Sequence, residues 1–160
     1  MMSLSTRSAT ESDVPFIHGL LNGYAEDGKL LSRPETEIAK RLDAFIVATE
    51  NDEVIGCASL ETFTSELGEV RSLAVMPAFQ GKGHGRNLVD VIERMGQERG
   101  LSRMIALTYV PGFFRKLGYQ IVSMESLPEK VFSVCVTCPK FNNCDEIAMQ
   151  KRLSPTEAPA

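Results

Sequence analysis

Three glycines and a lysine fall within six residues, Gly81 to Arg86, in the segment VRSLAVMPAFQGKGHGRNLVDVIERM. An apolar run with strand character precedes them, and Pro77 stops it. An amphipathic run follows, with Leu88, Val89, Val91, Ile92 and Met95 at helical spacing. A linker would not be bracketed so tightly by ordered segments. The pattern predicts a strand, a glycine turn and a helix. Such a unit can hold phosphate. The free N–H groups of the turn and first helical turn point at the anion, and the macrodipole favours negative charge there. Glycine leaves the approach open and tolerates positive φ. Lys82, His84 and Arg86 add cations nearby. The spacing is neither a Walker loop nor G-x-G-x-x-G; it reads Q-x-x-G-x-G, as Gln80, Gly83 and Gly85.

The rest of the chain supplies elements for one domain. A first strand is predicted over Ser5 to Ser8. Thr10 with Glu11 and Asp13 reads as a helix start, and Val14, Ile17, Leu20, Leu21 and Tyr24 form the apolar face up to Gly28. RPETEIAKRL is a short second helix that buries Ile38 and Leu42. Strands follow at Ala44 to Glu50, in VIGCASLETF, and at Glu69 to Val75. The helix after the glycine turn spans Gly85 to Arg99, and Gly100 closes it. Arg103 to Tyr109 is a strand, PGFFRKLG a short helix, and YQIVSM, KVFSVCV and DEIAMQKRL are late strands. This is an α/β (α+β) chain with a mixed sheet, not a doubly wound parallel one.

Composition narrows the class. With 160 residues, 43% hydrophobic and 24% charged, the chain suits one globular domain, expected over residues 1–153 with a polar tail at 154–160. A net charge of −4 gives no general basic face for nucleic acid. No apolar run spans a bilayer, and the polar start MMSLSTRSATESD lacks a signal core, so a cytoplasmic protein is expected.

Taken together, LAVMPAFQGKGHGRNLV and FFRKLGY resemble the GNAT superfamily of acyl-CoA-dependent N-acetyltransferases. The element order agrees over roughly residues 6–152. The resemblance implies a mostly antiparallel twisted sheet of seven or so strands with four or so helices. It implies acetyl-CoA as co-substrate, its diphosphate on Gln80, Gly81, Lys82, Gly83, His84, Gly85 and Arg86. Pantetheine would lie along the fourth strand at Leu73, Ala74 and Val75, with Phe113, Phe114 and Lys116 of the short helix also on the cofactor side. Many of these enzymes hold a general base where this chain has Glu69. By itself Glu69 reads equally as a solvated strand-end carboxylate. Strand alternation puts Glu69, Arg71 and Leu73 on one face. A tyrosine in the short helix often protonates the leaving thiolate; here that position holds Phe114. Tyr109 is the substitute acid considered, with a core or rim role as the alternative.

LLSRPETEI, EVRSLAV, ALTYVPGFFRKLGY and LPEKVFSVCVTCPKFNNCDEIAM are similar to the short bacterial N-acetylglutamate synthases, which open arginine biosynthesis. The resemblance implies L-glutamate as acceptor, with another amino acid or small amine, or a non-catalytic acetyl-CoA-binding module, as the alternatives. Two carboxylates call for cations, and Arg33, Arg71 and Lys130 are the candidates, although each alone also reads as a surface charge. Longer synthases carry an amino-acid-kinase domain that senses arginine, for which this chain has no room. Pairing of late strands into a homodimer is a further expectation from the superfamily. Cys135, Cys138 and Cys144 form C-x₂-C-x₅-C, open to a zinc knuckle with Asp145 or Cys57, or to small buried thiols in a hairpin. The expectation is that no metal is required. His18 reads as structural.

Overall fold

The computed structural model describes residues 4–26, 34–123, 126 and 147–153. Among them, seven strands and four α-helices follow one another as β1 (Leu4–Ser8), α1 (Val14–Glu26), α2 (Glu35–Lys40), β2 (Phe45–Glu50), β3 (Glu53–Thr62), β4 (Leu67–Val75), α3 (His84–Glu98), β5 (Arg103–Thr108), α4 (Pro111–Lys116), β6 (Gln120–Ile121) and β7 (Ile147–Arg152). The sheet order is β1-β2-β3-β4-β5-β7-β6. β1–β2, β2–β3, β5–β7 and β6–β7 are antiparallel, whereas β4–β5 is parallel. A mixed, mostly antiparallel sheet is therefore what forms. Among the described residues, element bounds fall within a residue or two of the sequence expectation, except at the start of α1 and in YQIVSM, where the strand is Gln120–Ile121. KVFSVCV, the three late cysteines, Gly28 and the tail lie outside the described residues.

The chain divides into two compact units. The first holds β1, α1, α2, β2, β3 to Leu60, β4 from Val70 and α3 to Arg94. Its core joins Val14, Ile17 and Leu21 of α1 to Ile38 of α2 and to Phe45, Val47, Cys57 and Ala74 of the sheet. Ile17, Leu21 and Ile38 are fully buried, each contributing about 1.5–3 kcal/mol. The i, i+4 spacing of Ile17 and Leu21 follows from one helix face meeting one sheet face.

The start of α1 departs from expectation. Glu11–Asp13 form a 3₁₀ turn, and the α-helix begins at Val14. Asp13 is buried, and its Oδ2 accepts hydrogen bonds from the Thr10 main-chain N–H (2.8 Å) and from Arg7 Nη1 (2.8 Å). Arg7 Nη2 completes a fork to Oδ1 at 3.1 Å. The Arg7 hydrogen bond holds the Asp13 carboxyl below its ordinary pKa, with the Thr10 bonds adding to it. A lowered folded pKa gives stability that is complete at neutral pH and lost as pH falls below the ordinary value of 3.8. Asp13→Asn is expected to lower stability at pH 7 by about 1–2 kcal/mol. The gap to the parent should close in acid. Urea unfolding of both proteins at pH 7 and pH 3 checks this; equal midpoints at pH 7 would count against it.

The second unit takes β4 to Glu69 with β5, α4, β6 and β7. Leu67, Ile105 and Ala148 form its buried cluster, flanked by Phe63, Leu107 and Val122. The parallel ladder pairs Leu67 with Arg103, Gly68 with Met104 and Glu69 with Ile105.

Candidate active site

In the first unit, β4 carries an irregularity in its middle. Ser72 has φ +52, in the left-handed region that a serine in a strand seldom visits. Two β3 side chains hold it there. Ser59 Oγ donates to the Arg71 carbonyl (3.2 Å), and the Cys57 thiol donates to the Ser72 carbonyl (3.4 Å). The left-handed residue breaks the period of two. Ser72 stands between Arg71 and Leu73, so period-two counting does not by itself carry the face expected of Glu69, Arg71 and Leu73 past residue 72. Farther along, a Cβ on Gly56 would come within 2.9 Å of the Ala74 carbonyl oxygen, so β4 approaches β3 there only because residue 56 has no side chain.

At the end of β4, the Met76 N–H donates to the Ile55 carbonyl (2.8 Å). Pro77–Phe79 form a 3₁₀ turn, and Gln80 Nε2 donates to the Val75 carbonyl (3.2 Å), tying the loop back to the strand. Gly81 and Gly83 have φ +83 and +90, and α3 begins at His84. The Asn87 N–H donates to the Gly83 carbonyl (3.1 Å), leaving the N–H groups before it without intrahelical partners. Gly85 is already helical. A Cβ built on Gly81 or Gly83 meets no atom within 4 Å, so open space faces both. Lys82 and Arg86 are exposed beside that space. First-turn amides without intrahelical partners, two positive-φ glycines, open space and two cations fit an anionic diphosphate.

His84, expected at the phosphate, turns inward instead. Its side chain is 2% exposed, and its Nε2 has no hydrogen-bond partner. The nearest carboxylate oxygen is Glu50 Oε1, at 3.9 Å. Glu50 is itself buried at the end of β2 and lies 3.4 Å from Lys82 Nζ. Sequence reasoning missed Glu50, since an acid before a turn normally reads as a solvated charge. Asn51 and Asp52, both at positive φ, make the two-residue turn that carries the strand end.

In the second unit, Glu69 is buried at the last rung of the ladder with β5. Tyr109 is half-buried just past β5 rather than inside it. Phe114 is buried, edge-on to Phe113 (5.0 Å) and Tyr119 (5.2 Å), while Phe113 is half-buried and Lys116 exposed. The position without the usual tyrosine is thus filled by a packed ring. Arg33 and Lys130 lie outside the described residues, and Arg71 is half-buried in the first unit. Among the described residues no group of three or more His, Cys, Asp or Glu could hold a metal, and no helix is long and apolar enough to cross a membrane.

Residues 15–119 match the acetyltransferase (GNAT) family. The chain belongs to that family. As a GNAT protein it is an acyltransferase, and its seven-strand mixed sheet with four helices is the family's fold. An uncharacterized N-acetyltransferase of Chlorobaculum tepidum is 40% identical over 147 residues, covering 92% of this GNAT chain and 95% of that protein. An amino-acid acetyltransferase of Mycobacterium tuberculosis is 35% identical over 130 residues, covering 79% of this chain and 74% of that one. Among solved structures, N-acetylglutamate synthase from Neisseria gonorrhoeae, complexed with coenzyme A and N-acetyl-glutamate, matches with a TM-score of 0.87 at 29% identity. That match covers 95% of the GNAT chain and 35% of the synthase.

Proposed function

We propose that this protein transfers the acetyl group of acetyl-CoA to the α-amino group of L-glutamate. The observation that carries the acceptor is the 0.87 TM-score, over 95% of this chain, to a synthase bound to coenzyme A and N-acetyl-glutamate. The cofactor reading is supported by the loop itself, with positive φ and open space at Gly81 and Gly83 just ahead of a helix start. In this reading the amides from Gly81 to Arg86 take the diphosphate, helped by Lys82 and Arg86. Pantetheine runs along Leu73, Ala74 and Val75, and a main-chain N–H at Leu73 or Val75 polarises the thioester carbonyl. Gln80 locks the loop to Val75.

Amide formation needs a neutral amine. Glu69 takes the ammonium proton, directly or through a water. The amine nitrogen then bonds to the acetyl carbon, the carbon–sulfur bond breaks, and the sulfur leaves as thiolate. The nitrogen sheds its second proton as the amide forms, and Tyr109 or solvent delivers a proton to the thiolate, which leaves tolerably well unaided. Arg33, Arg71 and Lys130 are the proposed partners of the two glutamate carboxylates. The product would feed arginine biosynthesis in the cytoplasm.

A second reading keeps acetyl-CoA and changes the acceptor to another amino acid. It is favoured by the fact that the 40%-identical relative is described only as an N-acetyltransferase. Measuring coenzyme A release against a panel of amino acids decides between them. Glutamate is expected to give the highest kcat/KM, with glutamine lower by about 100-fold for want of one carboxylate. Equal rates with glutamate and glutamine would remove glutamate and leave the second reading.

A further inference from the structure

We propose that the buried Glu50 carboxylate is handed from Lys82 to His84 when an anion enters the glycine loop, which makes His84 a positioning residue for cofactor binding. This rests on the reading of that loop as the coenzyme A site. All three residues belong to the first unit. Lys82 Nζ lies 3.4 Å from Glu50 Oε1 and 5.2 Å from the Phe79 ring centroid. Its side chain is 38% exposed, so it has room to swing outward, whereas the Glu50 side chain is 4% exposed and does not. In this arrangement the loop's lysine faces the protein rather than an incoming phosphate.

Drawing Lys82 to an anion would strip a buried carboxylate of its cation. A buried charge that loses its partner is strongly destabilising, far more than an exposed one. His84 Nε2 removes the difficulty. It stands 3.9 Å from the same Oε1 atom, and it is a buried polar atom with no hydrogen-bond partner. Buried orphans of this kind are rare in folded chains and call for an explanation. A closure of about 1 Å brings the pair into hydrogen-bond range. The imidazole can donate from Nε2 in its Nε2–H tautomer or as imidazolium. One acceptor atom with two alternating donors lets the lysine leave without leaving the carboxylate bare. Because His84 opens α3, the same small movement adjusts the helix end whose amides face the anion.

The test is a binding cycle in coenzyme A, read by calorimetry, with ¹⁵N spectra of the wild-type histidines. His84→Leu is expected to weaken coenzyme A about tenfold, the worth of one charge-assisted hydrogen bond. His84→Gln, which retains a side-chain N–H donor, should stay within about twofold, well under the tenfold of one such bond. In a Glu50→Gln background the His84→Leu loss should shrink to about twofold or less, since a neutral amide needs no replacement cation. In the wild-type protein, coenzyme A should move the His84 Nε2 resonance to that of a hydrogen-bonded donor. Equal losses from His84→Leu in both backgrounds would overturn the proposal. So would an unchanged His84 signal on saturation, which needs no variant to fold. If wild-type protein gives no heat with coenzyme A, it is the cofactor reading that fails, and the exchange with it.

Discussion

Glu69→Gln is expected to lower kcat at neutral pH by about two to four orders of magnitude, with coenzyme A affinity unchanged. Glutamine keeps the shape of the buried side chain and loses the charge together with the ability to take a proton. Glu69 sits on the ladder rung with Ile105, where main-chain pairing fixes its position, so the loss should be chemical rather than structural. The pH profile separates the two. Without a base, the variant depends on acceptor that is already neutral, so its rate should climb close to tenfold per pH unit below the amine's pKa. The parent should climb less steeply. Steady-state rates from pH 6 to 9, beside calorimetric titration with coenzyme A, supply both readouts. A variant that retains parental kcat across this range would return Glu69 to the role of a structural carboxylate.

The turn between β4 and α3 was readable from sequence because each signal lies within a few residues. The alternating apolar residues stop at Pro77, and the helical spacing resumes after Gly85. Glycine permits the positive φ that Gly81 and Gly83 adopt, but the residue type does not say which of the loop's glycines adopts it, and Gly85 is helical. The bend at Ser72 was not readable. Nothing local marks a strand serine for the left-handed region; the cause lies 15 and 12 residues away, in the bonds from Cys57 and Ser59. Alternation therefore does not fix the face of Leu73 once the count passes Ser72. The same holds for Glu50, which meets Lys82 across 32 residues of sequence. Its burial depends on the hairpin turn at Asn51 and Asp52 and on the fold of the loop around it. The short β6 makes a related point. YQIVSM has strand composition throughout, yet among its described residues the ladder with β7 pairs Gln120 and Ile121, and Val122 adds one N–H to the Ala148 carbonyl, because pairing belongs to the neighbouring strand as much as to the segment. At Phe114 the sequence showed the missing hydroxyl, and the packing shows what replaced it: a ring wedged between Phe113 and Tyr119.

Gly83→Val should abolish most cofactor binding, and Gly100→Val makes the informative control. Gly83 and Gly100 have φ of +90 and +82, and a Cβ on either meets no atom within 4 Å. The backbone strain imposed by a β-branched residue is thus similar at both, about 1–3 kcal/mol of stability. What differs is function. Gly83 opens α3 among the amides proposed to bind diphosphate, whereas Gly100 follows the helix at its other end. Valine at 83 either turns those amides away or fills the space an anion would enter. Thermal unfolding should show comparable loss in the two variants, and calorimetry should show coenzyme A weakened about tenfold to 100-fold in Gly83→Val alone. Equal coenzyme A affinity in the two variants would mean that the glycines serve the turn and not a ligand. The phosphate reading would then lose its physical basis, whatever the resemblance to proteins that bind coenzyme A. A selective loss would place the anion at the mouth of α3 and give the acetyl group its direction along β4.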